Sequence, residues 1–319
     1  MQGLVTVFGG SGFVGGQVVR ALAKAGHRVR VAVRQPNLAY KMRMLGDVGQ
    51  IEVVQANVRH PASVARALDG AEACVNLVGV LYESGRQKFQ SVHVMGARHV
   101  AEAAAKAGLK HLVHVSAIGA DANASAKYAR TKGEGEAAVR AAFPGATIVR
   151  PSIVFGPEDD FFNRFAQMAA LAPVLPLVGG ATRFQPVFVG DVAAVIAKAV
   201  ASPAAVGVTY ELGGPSVYTM REILELILVE TGRARPLLPL PFPVAALIGQ
   251  VGDVVAVFLP PPLTSDQVEM LKSDNVAEHG LPGLAEAGVG ATAVEAVVPT
   301  YLYRYRKGGQ YAETPAGAF

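Results

Sequence analysis

Tyr128 and Lys132 stand four residues apart in YARTK. On a helix that spacing puts both side chains on one face. A lysine ammonium beside a phenol favours the phenolate and lowers the phenol pKa. Such a tyrosine can exchange a proton with the hydroxyl or carbonyl of a bound molecule. Ser116 ends the apolar run HLVHVS upstream, where its hydroxyl can orient the same oxygen. Ser116, Tyr128 and Lys132 are therefore the candidate catalytic set. A tyrosine and a lysine at this spacing also arise by chance, so the reading needs a second site beside them.

The start of the chain supplies one. The apolar strand LVTVF (4–8) runs into GGSGFVGG (9–16), in which Gly9, Gly12 and Gly15 have the spacing G-x-x-G-x-x-G. A glycine at the turn permits positive φ. A second lets backbone N–H groups approach a pyrophosphate, and a third lets the helix pack tightly on the strand. The anion then meets a helix N-terminus, where the dipole and unpaired donors favour it. The next strand ends at Arg34, where an acid would hold the ribose 2′-hydroxyl of NAD. A guanidinium suits a 2′-phosphate through paired hydrogen bonds, so NADP is preferred over NAD. Lys41 and Arg43 follow closely, and the plainer reading is that all three are solvated. Asn57 and Val58 follow the third strand, where an adenine would lie, and Asn76, Leu77, Val78 and Gly79 end the fourth, bordering a ribose. Ligands of open α/β sheets sit at such carboxyl ends.

The elements that must position these residues alternate. Strands are expected at 28–34, 51–58, 73–80, 111–118 and 146–156, and helices at 13–25, 63–70, 91–107 and about 127–142. Strands apolar on both faces and separated by helices predict an α/β fold with a doubly wound parallel sheet. Residues 1–156 are read as the dinucleotide-binding domain. Residues 157–300 are read as a smaller, mostly helical region interleaved with the sheet, laid over its carboxyl edge. Within it Asp191 is the expected N-cap of a helix over 189–200, and Thr219 and Glu222 have capping-box spacing. Residues 301–319 read as a basic, aromatic surface tail.

Composition narrows the classes. Among 319 residues 51% are apolar and 17% charged, which is a globular balance. One cysteine, Cys74, excludes an internal disulfide and a cysteine metal site, fits a reducing compartment, and leaves no metal expected. A net charge of +4, scattered along the chain, does not argue for nucleic acid. The apolar stretch 242–259 carries Gln250 and Asp253, and a charge at a bilayer centre costs about 3 kcal/mol. It is expected as a buried or membrane-surface helix, with no transmembrane span. No signal-peptide pattern precedes Leu4, so a cytoplasmic location is expected, peripheral on the inner face of the membrane at most.

GGSGFVG, Ser116, the Tyr128/Lys132 pair and RPSIVFGPED (150–159) together resemble the short-chain dehydrogenase/reductase superfamily, in its extended or atypical branch. The resemblance covers about residues 1–230. Within it the chain is most similar to the NAD(P)-binding accessory subunits of respiratory complex I, the NADH:ubiquinone oxidoreductase. The stretches carrying that similarity are GGSGFVGGQVVRALAKAGHRVRVAVR (9–34), NLVGVLYE (76–83), RFQPVFVGDVA (183–193) and PLTSDQVEMLKSDN (262–275). The resemblance implies a tightly held NADPH with a structural or assembly role, and complex I subunits as partners. It implies a cofactor site of Gly9, Ser11, Gly12, Phe13, Val14, Arg34 and Asn57; Gly15, Tyr128, Lys132, Pro151 and Ile153 complete the candidate cofactor set. The absence of a leader suggests a bacterial relative. Two other readings stay open: an NADP-dependent oxidoreductase acting on a hydroxyl or ketone of a sterol- or quinone-like substrate, and a sugar-nucleotide epimerase or dehydratase. The last would want many basic residues in the second half, where Arg164, Arg183, Arg221, Arg233 and Arg235 are the main ones between 160 and 240.

Overall fold

The structure, a computed structural model, describes residues 2–256, 259, 261 and 263–311. In chain order its strands and main helices are β1 (Gln2–Phe8), α1 (Phe13–Lys24), β2 (His27–Val33), β3 (Ile51–Gln55), α2 (Pro61–Leu68), β4 (Ala73–Asn76), α3 (Met95–Lys106), β5 (His111–Val115), α4 (Lys127–Ala142) and β6 (Thr147–Pro151). There follow β7 (Val154–Phe155), α5 (Phe161–Leu171), β8 (Leu175–Val178), β9 (Arg183–Phe184), β10 (Val187–Phe188), α6 (Val189–Ala201), β11 (Thr209–Leu212), β12 (Tyr218–Thr219), α7 (Met220–Glu230), β13 (Leu237–Leu240), α8 (Phe242–Val255) and α9 (Ser265–Met270).

The chain forms two compact units. The first takes residues 1–151, 190–212 and 279–289. Its seven strands lie in the order β11-β6-β5-β4-β1-β2-β3, and every neighbouring pair is parallel. The order reverses at β1/β4, so the expected doubly wound parallel sheet is present. Burial explains the continuous apolar strands: Val5, Val7, Val29, Val31, Val75, Val113 and Val149 are all buried. On one face a core of Phe8, Val64, Leu68, Cys74, Val100, Leu112, Val139 and Ile148 joins α2, α3 and α4 to the sheet. The outermost strand, β11, comes from beyond residue 156. It is locked beside β6 by Arg150, whose guanidinium bonds Glu136 of α4 at 2.7 Å and Glu211 of β11 at 3.2 Å.

The second unit takes residues 152–189, 213–278 and 290–319. Its core gathers Phe155, Phe162, Leu224, Ile227, Val298 and Tyr301. The capping box of α7 is present, with Thr219 and Glu222 bonding each other's backbone N–H. Asp191 is not an N-cap: α6 begins two residues earlier, at Val189, and Asp191 lies in its first turn. The stretch 146–156 is two strands, because Ser152 breaks away to bond Asn275. The apolar segment 242–259 forms α8 as far as Val255, while 257 and 258 lie outside the described residues, as do Pro262 of the 262–275 stretch and 312–319 of the tail. Its inner face is made of small residues: a Cβ on Gly252 would run into the Leu263 carbonyl. Its outer face leaves Leu247, Val251 and Val254 more than 60% exposed. Among the described residues no helix is long and apolar enough to cross a membrane.

Candidate functional site

The glycine loop sits at the carboxyl end of β1, in the first unit. Gly9 has φ +78, a left-handed turn that a side chain would strain. Gly15 is pressed beneath it: a Cβ there would lie 2.3 Å from the Gly9 carbonyl oxygen and 2.7 Å from Gly10 backbone atoms. Gly12 caps α1 without a side-chain hydrogen bond, and a Cβ on it would meet only the Gly9 oxygen, at 3.5 Å. The first turn of α1 carries no acid, so no carboxylate competes for its unpaired N–H groups. Ser11 is exposed beside it, and Phe13 and Val14 are half-buried. A dinucleotide pyrophosphate fits such a cradle.

The candidate catalytic side chains surround the end of β5. Tyr128 and Lys132 occupy the first two turns of α4. The Lys132 ammonium is buried and donates to the Val115 carbonyl at 2.9 Å. Burial pulls its pKa down to about 8, against a smaller opposing pull from Glu136. Ser116 is anchored by its N–H to the Val149 carbonyl, while its Oγ is buried without a hydrogen-bond partner. A buried hydroxyl without a partner costs about 1–3 kcal/mol, so it is poised for a group the protein does not supply.

A histidine the sequence did not single out ties this helix to the β4 loop. A π-helical turn, Gln90–Val94, leads into α3 and turns His93 inward. His93 Nε2 accepts from the Val80 N–H at 3.0 Å, so Nδ1 holds the proton and donates to Thr131 Oγ1 at 3.1 Å. Thr131 in turn donates to the Lys127 carbonyl, 2.8 Å away. The His93 ring stacks on Phe89 and meets the Tyr128 ring edge-on at 5.4 Å. Burial first, and the Lys132 charge second, push its pKa down to about 3. His114, two residues before Ser116, is likewise held to about 3 by burial and by the Lys132 charge, and its Nδ1 pairs with the Asn76 amide. The sequence carried one signal for it: two residues apart on a strand, His114 shares a face with Ser116.

The remaining cofactor candidates divide. Leu77, Val78 and Gly79 follow β4; the Leu77 N–H bonds the Phe8 carbonyl, and Val78 packs against Gly9. A Cβ on Gly79 would sit within 4 Å of both His93 Nε2 and Lys132 Nζ. Asn57 folds on itself, its Oδ1 accepting from the Arg59 N–H. Val58 is a core side chain packed on Gly96, because the strand has ended at Gln55. Arg34 is exposed just past β2 and bonds Gln87 Oε1 at 2.8 Å. Pro151 ends β6, whereas Ile153 belongs to the second unit and packs in its aromatic core. Among the described residues no group of three or more metal-ligating side chains is placed to hold a metal.

A model described as the NAD dependent epimerase/dehydratase family matches residues 5–213, two-thirds of the chain. The chain belongs to that family. As a member of this NAD(P)-binding family, it is 35% identical over 305 residues to the mitochondrial NADH dehydrogenase (ubiquinone) 1 alpha subcomplex subunit 9 of Rattus norvegicus, spanning 95% of this chain and 80% of that protein. It is 38% identical to the ceramide reductase of Caulobacter vibrioides over 193 residues, 60% of this chain and 59% of that one. Its fold matches the NADPH-dependent quinone oxidoreductase of Escherichia coli complexed with NADPH, with a TM-score of 0.73 and 22% identity over 94% of this chain and 99% of that one. The resemblance to the extended branch and to the complex I accessory subunits is therefore upheld.

Proposed function

We propose that this protein holds NADPH as a resident cofactor and serves as an accessory or assembly protein of a complex I-like NADH:ubiquinone oxidoreductase at the inner face of the cytoplasmic membrane. The observation that carries this reading is the extent of the similarity to the rat complex I subunit, 95% of this chain, which reaches well past residue 213 where the family model stops. In this reading the first turn of α1 and the glycine cradle bind the pyrophosphate, Arg34 takes the 2′-phosphate, and Lys132 and Tyr128 face the nicotinamide ribose. The test is purification from native membranes: NADPH retained in about equal amount with the protein, and complex I subunits carried with it. A protein recovered from membranes and cytosol without either fails the reading.

A second reading, an NADP-dependent oxidoreductase on a hydroxyl or keto substrate, is favoured by one specific observation. The buried, unpartnered Ser116 Oγ lies at the end of β5, beside the carbonyl that holds Lys132. The cofactor would supply hydride; Tyr128 would supply or take the proton and Ser116 would orient the substrate oxygen. Tyr128→Phe decides between the two. Retained cofactor binding with loss of any reductase activity supports turnover; unchanged cell function and binding support residence alone. The epimerase or dehydratase reading ranks below both. The five arginines between 160 and 240 are each already engaged within the second unit, at Pro261, Asp274, Glu225, Tyr305 and Ala169.

A further inference from the structure

Two arginines at the carboxyl ends of β2 and β3 are held by one short hairpin. Ser84 and Gln87 exchange both backbone hydrogen bonds, at 3.1 and 2.8 Å, with Gly85 at φ +50 making the turn. The hairpin is fastened at its base by the Phe89 N–H, which donates to Glu83 Oε1 at 2.9 Å, and by the buried Phe89 ring. From its tip, Gln87 Oε1 accepts from Arg34 Nη1 at 2.8 Å and the Arg86 carbonyl accepts from Arg59 Nη1 at 2.8 Å. Arg59 is fixed a second time, its Nε reaching Asn57 Oδ1 at 3.4 Å. Adjacent residues of one turn thus orient two guanidiniums from the segments that follow two neighbouring strands.

Each guanidinium uses one terminal N–H on the hairpin and has others to offer. Neither arginine has a carboxylate within ion-pair distance among the described residues, so neither positive charge is cancelled. A neutral acceptor is the chemistry needed to hold an arginine in place while leaving its charge for an anion. A carboxylate at position 87 would hold it equally well and cancel that charge. We propose that Gln87 is a positioning residue for cofactor choice: with the Arg86 carbonyl it pre-orients Arg34 and Arg59 as a two-guanidinium reader of the 2′-phosphate. This rests on the reading of Arg34 as the 2′-phosphate ligand and adds the hairpin and Arg59 to it.

The experiment measures equilibrium binding of NADPH and of NADH, by nicotinamide fluorescence, to the full chain stripped of nucleotide. The wild type is compared with Arg34→Ala, Gln87→Glu and Gln87→Asn. Gln87→Glu is isosteric and keeps the hydrogen bond, so the hairpin stays closed. It is expected to weaken NADPH about tenfold or more while NADH changes less than about twofold. Gln87→Asn, neutral but shorter, should weaken NADPH by an intermediate amount, with NADH unchanged. A structural role alone would move both cofactors together, and that result overturns the proposal, as does no change with Gln87→Glu. If Arg34→Ala leaves the NADPH preference intact, the parent reading of Arg34 fails and the Gln87 proposal falls with it. If Arg34→Ala abolishes the preference and Gln87→Glu does not, only the Gln87 proposal falls.

Discussion

Lys132 carries its charge out of reach of water, and its stability consequence has a definite sign. Its pKa is about 8 in the fold against 10.5 when free. Below pH 8 the lysine is charged in both states, and the folded state bears the full cost of burying it. Between pH 8 and 10.5 the unfolded chain binds the extra proton, so stability rises with pH through that window. Urea unfolding from pH 7 to 10 should show this rise, and Lys132→Met should flatten it. His93 and His114 act at the acid end. Each is neutral in the fold down to about pH 3 against an ordinary value of 6.5, so stability falls as pH drops from 6.5 towards 3. His93→Phe keeps the ring contacts but orphans the Val80 N–H and removes the donor to Thr131 Oγ1, whose own O–H still bonds the Lys127 carbonyl. It is expected to cost about 1–3 kcal/mol at pH 7 and to reduce the acid sensitivity, both read from unfolding curves.

At the scale of elements, the junction of β1 and α1 gives a paired prediction. Gly15 and Gly16 are neighbours in sequence and opposites in space. A Cβ on Gly15 would collide with the backbone of Gly9 and Gly10, which cannot yield without moving the loop. Gly16 faces open space, with nothing within 4 Å. Gly15→Ala should therefore abolish cofactor binding and lower stability by about 1–3 kcal/mol or more, whereas Gly16→Ala should raise it by about 0.5–1 kcal/mol with binding intact. Thermal melts and NADPH titration separate the two. At the β11 edge of the sheet, Arg150 bridges α4, β6 and β11. Arg150→Met leaves Glu136 and Glu211 buried without their cation, for an expected loss of about 3–5 kcal/mol in urea unfolding.

At the scale of the molecule, cofactor and fold are linked by mass action. If the cradle binds NADPH only when folded, NADPH at 100 times its dissociation constant should stabilise the protein by about 2.7 kcal/mol, raising the melting temperature. NADH at the same concentration should raise it less if Arg34 and Arg59 read the 2′-phosphate. The large-scale plan explains why one sheet needs two separate pieces of chain, 1–151 and 190–212. The sheet closes only when β11, delivered after a 38-residue excursion through the second unit (152–189), returns to pair with β6. That return is local in space and distant in sequence, and Thr209–Leu212 has too few residues to announce a strand by periodicity.

The sequence by itself determined the alternation of apolar strands and helices, hence the parallel sheet, because strands buried on both faces must be apolar throughout. It also determined the glycine cradle and the shared face of Tyr128 and Lys132, since both follow from spacing along a single turn or helix. Tertiary structure alone decided which polar groups meet across the sheet. His93 reached Val80 and Thr131 through a π-turn, and Gln87 reached Arg34, contacts whose partners lie 13, 38 and 53 residues apart. It also decided that Val58 is core and that Asp191 is no cap. Local propensity acts within a few residues, whereas burial and long-range hydrogen bonding are settled only once the sheet order is fixed.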